Sequence, residues 1–363
     1  HDEATLLPFI RAAKQENPDL KIWASPWCPP AWMKTNKHYA CTSTEAFRQR
    51  NAARQQRAGS DQDNLGFSSM FDVDNGLPVD HQLREGEDGF TQDPRYLETY
   101  ARYFGKFIDA YREQGIDIYM VMPQNEPNSA QWYPACTWTP QGLAAFMKYL
   151  GPEMQQRGVD MYLGTMERAD AQLWDVILSD SELAPQIKGM GFQWAGKDAL
   201  PTLHQKYPEL KVYQSEQECG NGKNDFAGAT HSWDLMKEYF THGTNAYFYW
   251  NISLLEGGVS HWGWRQNSLV TVNEQERTFA YTPEYYVMKH VSHYVMPGAK
   301  LLDLADSPYQ DALAFLNPDD SVAVVVANKE DAYYDVTLYI DERLYLLPIE
   351  PGSITTLLMT PQK

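Results

Sequence analysis

Two glutamates stand where a charged residue needs a reason. Glu126 lies in VMPQNEPNSAQW, residues 121–132, at the end of an apolar run, with amides before and after it and Pro127 behind it. Glu216 lies in KVYQSEQECG, residues 211–220, again at the end of a short apolar run. Two carboxyl groups brought together from separate strands are the equipment for cleaving a glycosidic bond. One, protonated, donates to the leaving oxygen; the other attacks the anomeric carbon. Tryptophans close the neighbouring runs: Trp27 in SPWCPPAWMKTN, Trp194 after Gln193 in GFQWAG, and Trp250 in AYFYWNI. Their rings would stack on the apolar face of a pyranose, with Trp132 and Tyr133 extending the platform, and Gln193 is expected among the sugar-binding residues.

Each choice has a plainer rival. Glu126 alone reads equally well as a helix cap or a surface carboxylate, and Glu216 in the partner position is what weighs against that. Glu218 competes with Glu216. The first residue past a strand points back over a barrel most directly, which favours Glu216. Trp27 and Trp250 would otherwise be lids on the core, and Glu167 and Glu256 read as supporting or solvent-facing groups.

The elements that must position these residues follow from periodicity. Leu6–Lys14, Tyr96–Gln114, Gln141–Arg157, Ser232–Thr241 and Pro283–Tyr294 read as helices, with Gly158 as a stop signal. Leu20–Ser25, Ile116–Pro123, Met161–Thr165, Gly189–Trp194, Lys211–Ser215 and Ala246–Trp250 read as short strands between them. This rhythm predicts a parallel sheet with helices outside, closing as a (β/α)8 barrel with its catalytic groups at the strand C-termini. A barrel needs eight strands and six are read, so the first two βα units are expected upstream of His1 or on a separate segment. Residues 36–94 break the rhythm with a long polar stretch, expected over the barrel mouth. After Pro297-Gly298 the pattern becomes all-β, with two strands around an NPDD turn in Ala312–Asn328. The expected domains are a barrel over 1–298 and a side β-sandwich over 299–363.

Composition narrows the ligand. Aromatics make up 13% of the chain, with 11 Trp and 23 Tyr, while the net charge is −18. Such a charge repels a phosphate backbone, so nucleic acid and anionic membrane are poor partners and a neutral ligand fits better. No membrane span is read. Cys28, Cys41, Cys136 and Cys219 lack zinc-site spacing, and counting leaves open whether they pair or stay as thiols. His290 and His293 have HxxH spacing without an acidic third ligand, and neither metal nor cofactor is expected. GFQWAGK matches the first part of a phosphate loop, but Asp198 follows where Ser or Thr is needed and Trp194 obstructs the cradle. Asn251-Ile252-Ser253 is a formal glycosylation sequon placed at the proposed site. The chain does not start with Met, and a secreted, periplasmic or cell-surface location is expected.

At these residues a resemblance appears. ASPWCPPAWMKTN, MPQNEPNSAQWYP, YQSEQECG, THGTNAYFYWNI and EYYVMKHVSHYVMPGAK together resemble glycoside hydrolase family 30, in order and over most of the chain. The resemblance implies a (β/α)8 barrel with a side β-sandwich, closed by the GSITTLL strand, and retaining hydrolysis of β-glycosides. It puts Glu126 on the acid/base position, Glu216 on the nucleophile, Asn125 on the 2-hydroxyl ligand, and Trp27 and Trp250 on the sugar-lining aromatics. The two carboxyl groups are then expected about 5–5.5 Å apart. Within the family, SPWCPPAWMKTNKHYAC and SEQECGNGKN are most similar to bacterial endo-β-1,6-glucanases, which implies a neutral β-glucan substrate. Glucosylceramidase, β-glucosidase and a catalytically dead sugar-binding barrel are the alternatives. A departure stands out at the strand ending GFQWAG. Gln193 and Trp194 occupy positions where glucosylceramidases carry a His and an aromatic, and Ala195 stands where they carry a Tyr that contacts the nucleophile.

Overall fold

A computed structural model describes residues 1–50, 74–260, 263–304, 309, 311–340 and 342–360. Within these, the chain divides into two compact units, one from 1–50 and 74–215, the other from 216–360.

The first unit alternates strands and helices. Helix α1 (Leu6–Glu16) leads into β1 (Ile22–Ala24). Helix α2 (Pro94–Glu113) starts where Asp93 caps the Arg95 amide and Pro94 fills the first turn. Its buried side chains Leu97, Tyr100, Phe104, Ile108 and Tyr111 recur every three or four residues on one face. β2 (Ile118–Val121) pairs parallel with β1. Helix α3 (Pro140–Arg157) is capped by Thr139 and stopped by Gly158 in the left-handed region, as its position in the sequence predicts. Phe90, Tyr100, Trp138 and Phe146 stack between the helices and the loop before α2.

The run expected as one strand over Met161–Thr165 is two, β3 (Asp160–Met161) beside β2 and β4 (Thr165–Met166). Gly164 sits at the break, pressed so closely on the Gln124 carbonyl that a β-carbon there would come within 2.5 Å of it. Helix α4 (Ala171–Leu178) follows, then β5 (Gly189–Gln193), parallel to β4, helix α5 (Leu200–Lys206), and β6 (Lys211–Glu216), which lies beside β5. The strands carrying Glu167 and Gln193 at their ends are thus neighbours in one sheet, and an isolated parallel bridge between Asn125 and Thr165 sets the Glu126 segment beside β4. Of the polar stretch 36–94, residues 51–73 lie outside the described residues.

In the second unit, helix α6 (Phe226–Thr241), capped by Asp225, precedes β7 (Thr244–Tyr247). That strand begins two residues before the run expected from sequence, because Gly243, at φ 87°, turns the chain straight out of the helix. β8 (Ser253–Leu255), β9 (Val270–Asn273) and β10 (Thr278–Tyr281) form a small sheet that periodicity did not predict, its strands being only three or four residues long. Helix α7 (Pro283–Ser292) then leads to the β-rich end.

There β11 (Lys300–Leu302), β12 (Ala312–Leu316), β13 (Val322–Asn328) and β16 (Ser353–Met359) make one antiparallel sheet, and β14 (Tyr334–Ile340) with β15 (Arg343–Ile349) a hairpin. Alternation divides the larger sheet into two faces. Leu313, Phe315, Val325 and Ala327 pack on Trp233 and Met236 of α6 and Val287 and Val291 of α7. Ala314, Val324 and Val326 pack on Val336 and Ile349 of the hairpin. The β-structure therefore keeps one core of its own and shares a second with two helices. GSITTLL is, as the sequence implies, the strand that closes this sheet.

His290 of α7 meets the Thr356 hydroxyl of β16 at 2.8 Å. Burial holds its pKa below the ordinary 6.5, and neighbouring Lys289 adds to this. A histidine kept neutral in the fold contributes stability above its unfolded pKa and loses it as pH falls through the folded value. The drop in melting temperature from pH 7 to pH 5 is therefore expected to be smaller in His290→Gln than in the parent, measured by circular dichroism. An equal drop would remove His290 from the acid response. The HxxH pair is thus an ordinary helix feature, with His293 edge-on to Tyr294.

Candidate active site

The segment after β2 is held by amides. Gln124, with no exposed surface, donates to the carbonyls of Trp27 and Asn125, each at 2.8 Å, and accepts from the Trp138 indole at 3.2 Å. Asn125 bridges in parallel to Thr165 of β4, and its side-chain oxygen accepts from the Thr165 hydroxyl at 2.8 Å. Its buried amide nitrogen has no partner among the described residues. An amide donor buried without an acceptor costs free energy until a ligand supplies one.

Glu126 is 2% exposed. Pro127 is expected to bias it toward extended backbone, but its φ is +51°, in the left-handed region. Three hydrogen bonds overrule that preference. The Glu126 amide donates to the Thr165 carbonyl (3.2 Å) and hydroxyl (2.9 Å), and its carbonyl accepts from the Ser129 amide (3.1 Å). Trp194, after β5, has φ +50°. Such backbone costs on the order of 1–3 kcal/mol per residue and gathers at functional sites. The strain here falls on the segments that leave β2 and β5.

The Gln193 amide donates to Glu126 Oε1 at 3.0 Å, and the Ser215 hydroxyl sits 2.8 Å from Gln193 Oε1. Ser215 thereby selects the amide orientation that turns NH2, not oxygen, toward the glutamate. A hydrogen-bonded chain thus runs from Glu126 through Gln193 to Ser215. Gln193, expected among the sugar-binding residues, is held against the Glu126 carboxyl. On the other flank, Asn128 fastens the Glu167-Arg168 segment through both of its side-chain atoms. Arg168 donates to Glu167 at 2.5 Å and pairs with Glu85 at 3.3 Å. Burial works against the Arg168 charge, but Glu167, Glu85 and Glu126 together hold its pKa above the usual guanidinium value. Glu167, with 6% exposure, is buried and ion-paired and not a solvent group.

Of the aromatics in this unit, Trp27 is half-buried and meets the Tyr133 ring edge-on, centroids 5.4 Å apart. Trp194 is also half-buried. Trp132 corrects the expectation: it is 1% exposed and stacked on Phe47 at 5.2 Å, so it offers no face to a sugar. The alternation-free loop after QNEP gave no signal of which ring turns inward.

In the second unit, Glu216 ends β6 and is 6% exposed. Gln217 is anchored by the Ser232 hydroxyl at 2.6 Å and the Tyr247 hydroxyl at 2.8 Å. Glu218, the competing carboxylate, meets His231 at 3.0 Å. The loop that follows is tied down by Asn267, which was missed in the sequence. Its side-chain oxygen accepts from the Gly222 (2.8 Å) and Asn224 (3.3 Å) amides, and its NH2 donates to the fully buried Glu284 at 2.5 Å. Burial pushes the Glu284 carboxyl above its ordinary pKa. Asn251 donates to the Asn267 carbonyl at 3.0 Å, which engages the nitrogen that the sequon reading would glycosylate. Trp250 beside it is 38% exposed, and Glu256 is exposed and hydrogen-bonded to Asn273.

All four cysteines are free thiols, and burial raises the pKa of each. Among the described residues, no group of three or more His, Cys, Asp or Glu side chains could hold a metal ion, and no helix is long and apolar enough to cross a membrane.

Parallel strands that end in buried carboxylates and amides place polar groups where TIM-barrel enzymes carry their sites. Comparison with known proteins makes this specific. Residues 1–55 and 84–295 match the glycosyl hydrolase family 30 TIM-barrel domain, and 298–357 match the family 30 beta sandwich domain, so the chain belongs to glycosyl hydrolase family 30. It is 27% identical to lysosomal acid glucosylceramidase from Mus musculus over 99% of its own length, and 25% identical to endo-1,6-beta-D-glucanase neg1 from Aspergillus fumigatus over 91%. It spans 67% and 63% of those proteins, respectively. A solved structure titled as the endo-beta1,6-glucanase BT3312 superposes with a TM-score of 0.76 at 21% identity, covering 99% of this chain and 76% of the other; this likeness speaks for the fold. The protein is thus a family 30 glycoside hydrolase with a TIM barrel followed by a β-sandwich.

Proposed function

We propose that the protein hydrolyses β-1,6-glucan by double displacement, with Glu126 as acid/base and Glu216 as nucleophile. Glu126 protonates the leaving oxygen while Glu216 forms a glycosyl-enzyme, and water then enters with Glu126 acting as base. Gln193 aims the Glu126 carboxyl through its Oε1, and Ser215 aims Gln193. The unpartnered Asn125 amide supplies a donor for the sugar 2-hydroxyl. Trp27, Trp194 and Trp250, with Tyr133, supply apolar faces for the ring.

The observation that carries the choice of a soluble glucan is the polar stretch 36–94. An acyl-chain-binding enzyme calls for an exposed apolar rim. Among the described residues of 36–94, the one large hydrophobic side chain that is exposed is Val79. The wording of SPWCPPAWMKTNKHYAC and SEQECGNGKN supports the same reading. Glucosylceramidase activity is the second reading, favoured by relatives of that name.

Product analysis on β-1,6-glucan, β-1,3-glucan, xylan and a glucosylceramide decides between them. Short oligosaccharides are expected from the first substrate alone. Release of glucose from the ceramide, with no cleavage of the glucan, would replace the glucanase reading with the second.

A further inference from the structure

Trp132, Trp138, Trp174 and Trp233 are at most 1% exposed, whereas Trp32 is 57% exposed. An indole in water forgoes the burial that large aromatics ordinarily gain. Here the exposure is built into the chain. Trp32 rides on the 3-10 turn Ala31–Met33, which starts after Pro29-Pro30, and the two residues that follow it are sunk, Met33 at 2% and Lys34 at 0%. The turn is fastened along its length. The Met33 amide donates to Pro30 (2.8 Å), the Met33 carbonyl accepts from Thr91 (3.0 Å), and the Thr35 amide donates to Gly89 (2.9 Å). Beneath it, the Lys34 ammonium donates to the carbonyls of Tyr39, Ala40 and Ala135 at 3.1, 3.1 and 2.6 Å. The indole is therefore mounted on a rigid base and aimed outward before any ligand arrives, which lowers the ordering cost of binding.

A second ring stands beside it. Tyr96 lies 5.9 Å from Trp32, centroid to centroid, tilted by 53°, so neither ring covers the other's face. Lys37 reaches over Tyr96 at 5.8 Å and donates to the Trp32 carbonyl at 2.9 Å. Asp93 and Arg95 pair at 2.7 Å beside Tyr96 in the chain. The exposed Trp32 indole, with Tyr96 tilted beside it under the Lys37 ammonium and an ion pair next in the chain, suits a ligand with apolar C–H faces and hydroxyls at its edge. A polyanion is opposed by the −18 net charge. Trp32 also follows Trp27 by five residues on the loop leaving β1, continuous with the candidate site.

We propose that Trp32 and Tyr96 form a sugar-binding subsite that holds a neutral β-glucan chain away from the strand-end carboxylates. This rests on the reading of the protein as a glucan hydrolase. The test compares Trp32→Ala, Trp32→Phe and the parent on β-1,6-glucan and on an aryl β-glucoside too short to reach the subsite. Trp32→Ala is expected to lose about three- to ten-fold in kcat/KM on the polymer, mainly through KM, with the aryl glucoside unchanged and Trp32→Phe restoring most of the loss. An unchanged polymer rate, or an equal loss on both substrates, overturns the subsite. If the parent cleaves the aryl glucoside but not β-1,6-glucan, the linkage reading fails by itself. Affinity electrophoresis in gels holding β-1,6-, β-1,3- or β-1,4-glucan then decides the subsite. Retardation of the parent but not of Trp32→Ala by any of them sustains it; equal migration of the two in all of them overturns it.

Discussion

Glu216→Gln is expected to lower kcat on an aryl β-glucoside by on the order of 10⁴-fold or more, while the far-UV spectrum and the affinity for product sugars stay at parental values. The amide is nearly isosteric and fits a position only 6% exposed, but it cannot form a glycosyl-enzyme. Glu126→Ala should show a different signature. With an activated aryl leaving group the first step needs little acid help, so the glycosyl-enzyme forms and stalls for want of a base. Azide, which needs no general base, should restore turnover and yield the β-glycosyl azide. With Glu216→Ala, azide can attack only the substrate itself, giving the α-glycosyl azide. The anomer formed by each variant assigns the roles independently of the rate. Exchange of the two products would exchange the roles, and parental activity in Glu216→Gln would hand the nucleophile to another residue, Glu218 being next to be tested.

Gln193 shows what was legible in the sequence and what was not. The strand ending in GFQW was readable from its apolar run, and so was its place near the carboxylates. Its partner was not. Whether an amide faces a sugar or a glutamate depends on which acceptor the neighbouring strand offers, and Ser215 is 22 residues away in the chain. Asn267 is hidden in the same way. It lies 43 to 45 residues beyond the amides it accepts from, in a segment with no periodicity to mark it. Helix ends were legible where a local signal was read, as at Gly158, whereas the first turns of α6, from Phe226, and the short helices α4 and α5 were not singled out. The left-handed Glu126 inverts the lesson. Local preference before proline pointed to extended backbone, and three hydrogen bonds from β4 and the following turn outweighed it. A local rule broken at that residue, and again at Trp194, is what a site held under strain looks like.

Lys34→Met is expected to destabilise the protein by about 2–4 kcal/mol, read as a lower urea midpoint with an unchanged slope. The methionine matches the apolar stem and fills the space, so no cavity term enters. What changes is the ammonium. The Tyr39 and Ala40 carbonyls have second donors in the Cys28 thiol at 3.2 Å and the Asn36 amide at 2.9 Å. The Ala135 carbonyl, in a residue 2% exposed, takes its shortest bond from Lys34, at 2.6 Å, and in Lys34→Met that bond has no replacement. The cost is thus chiefly one buried carbonyl left unpaired plus the charge-assisted share of the other two bonds. The consequence extends to function, because Lys34 joins the loop of Trp27 and Trp32 to the segment of Tyr133. Below the unfolding range, Lys34→Met should raise KM for the polymer more than it lowers kcat, since Glu126 and Gln193 are held by other elements. A urea midpoint equal to the parent's would mean that water or another donor reaches the Ala135 carbonyl, and the lysine would then not be the anchor of this loop.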